Sequence, residues 1–167
     1  MCGRNRAVPV TEAGLRHVVL NMRERDRAEI YALRWDDDPE RHVRDILPWM
    51  GEMCWTWERD GVPVSVQGTQ PVRPGVWQNF AFGTDAWPHV VLDMTRHSRR
   101  FIIPALLRVG FHRAECRALL DHADSRRWIV EGLGGRQEAI LRGLGRNGED
   151  FVSYAWHPED VAHVQRR

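Results

Sequence analysis

The spacing of apolar residues in the first fifty positions is typical of helices. Apolar side chains recur three or four residues apart at Leu15, Val18, Val19 and Met22. Thr11 stands just before them as a candidate N-cap, and residues 28–33 repeat the helical spacing after a charged run at 23–27. Pro39 follows three aspartates and suits the first turn of another helix. This part of the chain is therefore predicted to form short consecutive helices.

After residue 52 the apolar period shortens from about 3.6 residues to 2, which is typical of β-strands. The dipeptides Asp60-Gly61 and Asn147-Gly148 are turn signals between such segments, and residues 71–75 predict a further turn. After a short extended start at 7–10, the predicted strands are residues 53–58, 62–67, 76–82, 113–120, 137–144 and 151–156.

Two longer helices are predicted among the later strands. The principal helix spans residues 90–107 after a chain break that begins at Gly83, and Pro104 is expected to kink it. The other helix spans 124–133 and ends at the glycine pair that follows. This order of elements favours the α/β class, with one mixed central sheet flanked by helices.

Length and charge exclude several classes of protein. A chain of 167 residues is expected to be one domain over 1–167, with flexible tails at 1–6 and 158–167. All 24 basic residues are arginine, and 23 acidic residues balance them to a formal charge of +1. This excludes lysine-based chemistry and disfavours general nucleic-acid binding. No stretch resembles a signal peptide or a membrane span, so we expect neither secretion by signal peptide nor a membrane partner.

The cysteines Cys2, Cys54 and Cys116 predict no disulfide framework and no zinc site. They are odd in number and lack C-x-x-C spacing, which fits a reducing, cytosolic setting. His112 and Cys116 would share one face of a strand, but at a separation of about 13 Å, which is too far to bind one metal ion. No metal site is therefore expected.

Several short motifs carry a resemblance to a known family. They are Asp-Ser-Arg-Arg-Trp at 124–128, Leu-Gly at 133–134, the strand segment 149–156, Phe-Gly-Thr-Asp at 82–85 and Ser-Arg-Arg at 98–100. Together with the order of elements over most of the chain, they resemble the GNAT acyltransferase fold, and in particular GNAT-like proteins of tailed bacteriophages. Some of those proteins are internal virion or virion-assembly proteins.

The resemblance implies a site for acyl-CoA at the start of the principal helix. GNAT enzymes hold the pyrophosphate on backbone N–H groups of a glycine-rich loop there, and the corresponding turn here contains a single glycine. If acyl-CoA binds, the residues expected to hold it are Gly83, Thr84, Arg96, Arg99 and Arg100. The more direct interpretation of Asp85 is a helix cap, whose removal would cost about 1 kcal/mol.

Catalytic residues are not evident from the sequence. Many family members use a helix tyrosine to protonate the leaving thiolate, with an asparagine near the start of that helix. The matching positions here hold Ile129 and His122, or Val130 and Ala123, depending on the alignment. The weak candidates are Glu115, His122 and Tyr154, with Glu58 and His112 as further candidate bases.

The absent glycines, tyrosine and asparagine together favour a protein without acyl transfer. The first hypothesis is a phage virion or virion-assembly protein that needs no cofactor and binds other phage virion proteins, with a homo-oligomer left open. Trp49, Trp55, Trp57 and Trp87 are its candidate contact residues, although burial in the core is expected for at least half of them. Such a protein would lie in the host cytoplasm during infection or in the virion, and would show negligible acetyl transfer.

Two alternatives stay open. One is an active acetyl-CoA-dependent N-acetyltransferase with a divergent loop. The other is a nucleic-acid module that uses Arg126 and Arg127 with the arginines of the principal helix, which the neutral total charge disfavours.

Overall fold

A seven-stranded mixed sheet forms the centre of the computed structural model, which describes residues 3–161. The strands are β1 (Asn5–Pro9), β2 (Cys54–Arg59), β3 (Val62–Arg73), β4 (Val76–Gly83), β5 (Arg113–Leu119), β6 (Arg136–Leu141) and β7 (Phe151–Trp156). Their order in the sheet is β1-β2-β3-β4-β5-β7-β6. Every neighbouring pair is antiparallel except β4 and β5, which are parallel.

Seven α-helices connect and cover these strands in the described residues. They are α1 (Glu12–Leu20), α2 (Glu24–Ala32), α3 (Pro39–Ile46), α4 (Val91–His97), α5 (Ile103–Arg108), α6 (Ala123–Arg127) and α7 (Pro158–Val161). Short 3-10 turns at Leu47–Trp49 and Trp87–His89 follow α3 and precede α4. No helix in residues 3–161 combines the length and apolar character that a membrane span requires.

The helices form one layer on each face of the sheet. On one face, Leu15 and Val18 of α1 and Val43 of α3 pack against Val66 and Phe82. On the other face the helices after β4 and β5 pack on the sheet, and the residues of that core include Ile102, Leu106, Ala118, Ile129, Val152 and Tyr154. The predicted α/β class with a mixed central sheet between helices is confirmed.

Local sequence signals place several of these elements correctly. The Thr11 hydroxyl accepts a hydrogen bond from Gly14 N at 3.1 Å and caps α1. Asp38 caps α3 through hydrogen bonds from the amides of Glu40 and Arg41, and Pro39 is its first residue.

The principal helix differs from its prediction. Between α4 and α5 the hydrogen-bond pattern widens to a π-helical segment at Ser98–Ile102, where Ile103 N donates to Ser98 O. Pro104 in the first turn of α5 has no N–H to donate to the residue four positions earlier, so the pattern changes one turn before it. A second π-helical segment, Trp128–Gly132, continues α6 in place of the ordinary helix that the sequence predicts.

The predicted bounds of the strands need correction. Strand β3 continues to Arg73, beyond its predicted end at residue 67. Gly68 interrupts the sequence pattern because a Cβ there would lie 2.5 Å from Cys54 Sγ. Regular elements reach into both expected tails, since β1 begins at Asn5 and α7 occupies Pro158–Val161. Residues 1–2 and 162–167 of those tails lie outside the described residues.

The four candidate contact tryptophans divide evenly. Trp57 and Trp87 are buried, Trp55 is half-buried and Trp49 is 63% exposed. The expectation that at least half of them belong to the core is therefore met.

A histidine on the inner face of α3 is buried among aromatic side chains. His42 is 4% exposed and makes edge contacts with the rings of Tyr31 and Phe82, at centroid distances of 5.8 and 6.0 Å. Neither ring nitrogen has a hydrogen-bond partner in the described structure. Burial lowers the pKa of His42 from 6.5 to about 4, so the neutral ring is the form that the fold accepts.

Acid should therefore destabilise this fold through His42. Because its pKa is lower in the folded than in the unfolded chain, the unfolded chain binds the proton more tightly as the pH falls from 6.5 to 4. We expect His42→Leu to remove about 2–3 kcal/mol of the stability loss between pH 7.5 and 4.5, measured by urea unfolding. His89→Gln changes an exposed histidine and serves as the control, which should lose as much stability in acid as wild type. An equal loss of stability in acid for His42→Leu and wild type would contradict the assignment to His42.

Candidate functional site

The central strands β4 and β5 enclose a cleft because they remain paired over only a short distance. The pairs run from Val76 with Arg113 to Gln78 with Glu115, while each strand continues for several residues. The space between the diverging strands is a cavity of about 240 Å³. Its lining includes Ile30 of α2 and Leu33 just after it on one face of the sheet, and Ile103, Leu106 and Ile129 on the other.

Beyond Gln78, the backbone N–H and C=O groups on the cleft edge of β4 have no partner in β5. Gly83 N donates to Asp26 Oδ2 at 2.7 Å, and Gly83 O accepts from Arg23 N, so both groups point away from β3. Residues two apart in a strand direct their N–H and C=O groups to the same edge. The amide and carbonyl of Ala81 therefore face the cleft at a level where β5 has already diverged.

A chain of buried polar side chains lies along the cleft beside the π-helical segment of the principal helix. Trp57 Nε1 donates to Gln67 Oε1 at 3.1 Å, and Gln67 Nε2 donates to Ser98 Oγ at 2.6 Å. Ser98 Oγ in turn donates to Met94 O at 3.0 Å. Gln67 and Ser98 both line the cavity, and their hydrogen bonds fix the position of its polar wall.

Two carboxylates of α2 connect the separated ends of the strands. Asp26 accepts from Gly83 N at the end of β4, and Glu29 Oε2 accepts from Leu119 N at the end of β5 at 2.8 Å. His122 lies between these carboxylates. Its Nδ1 is 3.1 Å from Glu29 Oε2 and its Nε2 is 3.9 Å from Asp26 Oδ1. We call Asp26, Glu29 and His122 the α2 bracket.

Burial sets the charge states around this bracket. Desolvation raises the pKa of Asp26, while the ion pair with Arg23 at 2.9 Å opposes that shift. Burial, reinforced by the carboxylates of Glu29 and Glu115, raises the pKa of the Cys116 thiol well above its usual range. Cys116 therefore lines the cleft as a neutral thiol.

The turn between β4 and α4 is not an open cradle for phosphate. The Gly83 amide is bonded to Asp26, and the Thr84 amide donates to Val64 O at 2.8 Å. The amides of Ala86 and Trp87 donate within the turn, to Thr84 Oγ1 and to Thr84 O. A Cβ on Gly83 would meet the Trp87 ring at 2.7 Å, so this glycine permits packing of the turn.

The expected cap at Asp85 is wrong. Asp85 is exposed, and its carboxylate accepts no hydrogen bond within residues 3–161. Thr84 supplies the oxygen that accepts the Ala86 amide, because the turn places its hydroxyl over the following residues.

The arginines expected to bind phosphate have different environments. Arg96 pairs with Asp93 at 3.0 Å, and Arg99 donates twice to Gly132 O at 3.0 and 2.7 Å. Arg100 is exposed and has no ion pair or hydrogen bond in the described part of the chain. Beside the turn, Arg23 lies over the Trp87 ring at 4.4 Å, and Trp87 meets the edge of Trp128.

Of the catalytic candidates, the structure brings only His122 next to a cleft carboxylate. Glu115 is held by Arg113 at 2.6 Å, and the buried Tyr154 hydroxyl accepts from Arg126 Nε at 3.0 Å. The further candidates are also remote from this role, since Glu58 pairs with Arg6 and His112 is exposed.

Sequence reasoning missed Glu29 and Ala81. Glu29 lies in a helix rich in charged residues and resembles an ordinary exposed position. Ala81 gains its role from the absence of a neighbouring strand, which the residue itself does not encode. The contacts of Glu29 with Leu119 and His122 span 90 and 93 positions of the chain, beyond any local motif.

Comparison with known proteins identifies the fold. No protein-family model matches the chain, and a search of curated proteins found no match. Among solved structures, a T. thermophilus protein classed as an acetyltransferase has a TM-score of 0.72 at 16% identity, covering 98% of this chain and 90% of that one. The ribosomal-protein-S18-alanine N-acetyltransferase of Escherichia coli has a TM-score of 0.64 at 15% identity, covering 92% and 94%.

A third similar structure, from Salmonella typhimurium, is also classed as an acetyltransferase and contains acetyl-CoA as its cofactor. Its TM-score is 0.62 at 13% identity, and the match covers 95% of each chain. These likenesses confirm the predicted GNAT-like fold. They give no indication of a phage or virion origin.

The two aspartates near the β4–α4 turn should differ sharply in their importance for stability. Asp26→Ala removes the acceptor of the Gly83 amide and leaves Arg23 without its carboxylate, so we expect a loss of about 3 kcal/mol in urea unfolding. Asp85→Ala should change stability by less than about 0.5 kcal/mol because its side chain is exposed and makes no hydrogen bond in the described structure. A larger loss of stability in Asp85→Ala than in Asp26→Ala would show that Asp85 is the helix cap after all.

Proposed function

We propose that this protein is an acyl-CoA-dependent N-acyltransferase with acetyl-CoA as its donor. The observation that carries this proposal is the apolar cleft between β4 and β5, with the unpaired amide and carbonyl of Ala81 along one edge. The pantetheine arm of acyl-CoA is a narrow chain with two amide groups. Such an arm can form hydrogen bonds to a strand edge while its methylene groups contact apolar side chains.

The diphosphate of acyl-CoA is charged and cannot be held by the apolar cleft that binds the pantetheine arm. The β4–α4 turn has few free amides to offer, because most of its N–H groups are already bonded within the chain. Side chains would therefore hold the diphosphate, and Arg100 is the one of the three candidate arginines with no ion pair or hydrogen bond in the described residues. We expect the affinity for acetyl-CoA to fall with salt more steeply than it would at a backbone cradle.

The residues of the cleft would organise the transfer. Acetyl-CoA supplies an activated acetyl thioester. Gln67 and Ser98 present fixed polar groups to the cavity, and the apolar walls from α2 and α5 exclude water. The Tyr154 hydroxyl is engaged by Arg126, so the leaving thiolate would depart without a tyrosine acid.

The acetyltransferase is better supported than the virion protein. The similar structures named above are acetyltransferases by description, and one of them contains acetyl-CoA. They lend no support to virion proteins as partners, to a location in the host cytoplasm or virion, or to a protein that needs no cofactor. We propose that a primary amine accepts the acetyl group.

Filling the cleft should block the donor. Ala114 on β5 is 1% exposed and lines the cavity, so Ala114→Leu places three further carbons in the space available to the arm. Wild type should bind acetyl-CoA with a micromolar Kd in calorimetry and release thiol with an alanine-initiated peptide or a small primary amine. We expect Ala114→Leu to weaken binding by at least about tenfold.

Ala118→Leu is the matched control. Ala118 is fully buried on the same strand but does not line the cavity. The added leucine should therefore lower the stability of the fold by a similar amount in both variants, while Ala118→Leu keeps its affinity for acetyl-CoA. Thermal unfolding establishes that both variants fold. No binding of acetyl-CoA to wild type at millimolar concentration, or equal loss in the two variants, would refute the proposal.

A further inference from the structure

We propose that Glu29 accepts the proton that the amine loses during acyl transfer, and that His122 is the residue that positions Glu29 for this step. The inference rests on the proposed function. It assigns the acid–base role to the α2 bracket, although neither α2 nor the loop after β5 carries a motif that predicts one.

Glu29 is the only carboxylate among the described residues that line the cleft. The other charged lining residue is Arg117, which cannot accept a proton. Cys116 is also present, but burial and the neighbouring carboxylates keep its thiol neutral. Since the remaining lining side chains are apolar or neutral amides and hydroxyls, Glu29 is the one group in the cleft suited to act as a base.

The geometry of Glu29 separates its two oxygens into different roles. Oε2 accepts from Leu119 N at 2.8 Å and lies 3.1 Å from His122 Nδ1. An ionised carboxylate can only accept a hydrogen bond, so the proposal places the proton on Nδ1 and makes His122 the donor to Oε2. Oε1 has no hydrogen-bond partner in the described structure and remains for a ligand in the cleft.

The ring of His122 is buried between the carboxylates of Glu29 and Asp26. The ring is 2% exposed, and its Nε2 has no hydrogen-bond partner in residues 3–161. The charged or titratable groups around the Glu29–His122 pair include Arg23, Asp26, Cys116 and Arg117. Asp26 is itself fixed by Arg23 and by the Gly83 amide, so the ring is held between two anchored carboxylates.

The transfer converts an ammonium acceptor and a thioester into an amide and a free thiol. An ammonium acceptor gives one proton to Glu29 Oε1, and the freed nitrogen lone pair forms a C–N bond to the acyl carbon. The C–S bond breaks, and its electron pair leaves on sulfur. The second proton lost by nitrogen ends on that thiolate, and Glu29 returns its proton to solvent, so that an amide and a free thiol are formed.

The first test separates chemistry from donor binding. Glu29→Gln keeps the shape of the side chain and removes its basicity, so we expect kcat to fall by roughly 10²–10³-fold while the Kd for acetyl-CoA stays within about threefold. Glu24→Gln, on an exposed position of the same helix, is the matched control and should retain wild-type kcat. Equal activity in the two variants would overturn the assignment.

The second test addresses the positioning role of His122. His122→Asn retains an N–H donor near the site of Nδ1, whereas His122→Phe has none. We expect kcat of the Asn variant to remain within about tenfold of wild type and kcat of the Phe variant to approach that of Glu29→Gln. Equal kcat in the two variants, both folded by thermal unfolding, would exclude donation from His122.

A third measurement needs neither donor nor acceptor. Long-range ¹H–¹⁵N spectra show which ring nitrogen of a histidine carries hydrogen. We expect a protonated Nδ1 at His122 and a shift of its resonance in Glu29→Gln. A ring protonated only at Nε2 would overturn the inference, even in an active transferase. Absence of turnover in wild type would instead remove the proposed function, and this role with it.

Discussion

The divergence of β4 and β5 is the constraint on which the rest of the site depends. A parallel pair that separates within one sheet leaves N–H and C=O groups without strand partners, and buried groups of this kind must be satisfied by other means. At the ends of the two strands, α2 supplies the acceptors through Asp26 and Glu29. Farther inside, the Ala81 backbone faces the cavity. The same divergence thus creates both the anchored end of the cleft and its open interior.

Local chemistry made much of the fold predictable. The cap at Thr11, the proline that begins α3 and the change of apolar period before β2 each act within a few residues, so the sequence alone indicates them. The π-helical segments were not predictable in the same way. They depend on how a helix accommodates Pro104 and on packing across the cleft, where Trp128 Nε1 donates to Thr95 Oγ1 at 2.8 Å.

The candidate site was less predictable than the fold because its residues meet only through tertiary structure. His122 was a candidate from its chemistry, but its significance follows from Glu29, which lies on a helix 93 positions earlier. Asp85 shows the opposite error. Its residue type and place before a helix are typical of a cap, yet the turn directs Thr84 to that role. Short motifs report local bonding and do not show which groups tertiary contacts engage.

The α2 bracket also bears on the entropy of ligand binding. Asp26 and Glu29 are separated by one helical turn, and each holds the end of one strand. The separation of the strand ends is therefore set by the pitch of a helix, which is far stiffer than a loop. A linear ligand would enter a cleft whose width is already fixed. The entropy cost of ordering the cleft walls would be met during folding and not during ligand binding. Loosening Asp26, which does not line the cavity, should then reduce affinity through added freedom of the unliganded cleft, without removal of any atom that contacts the ligand.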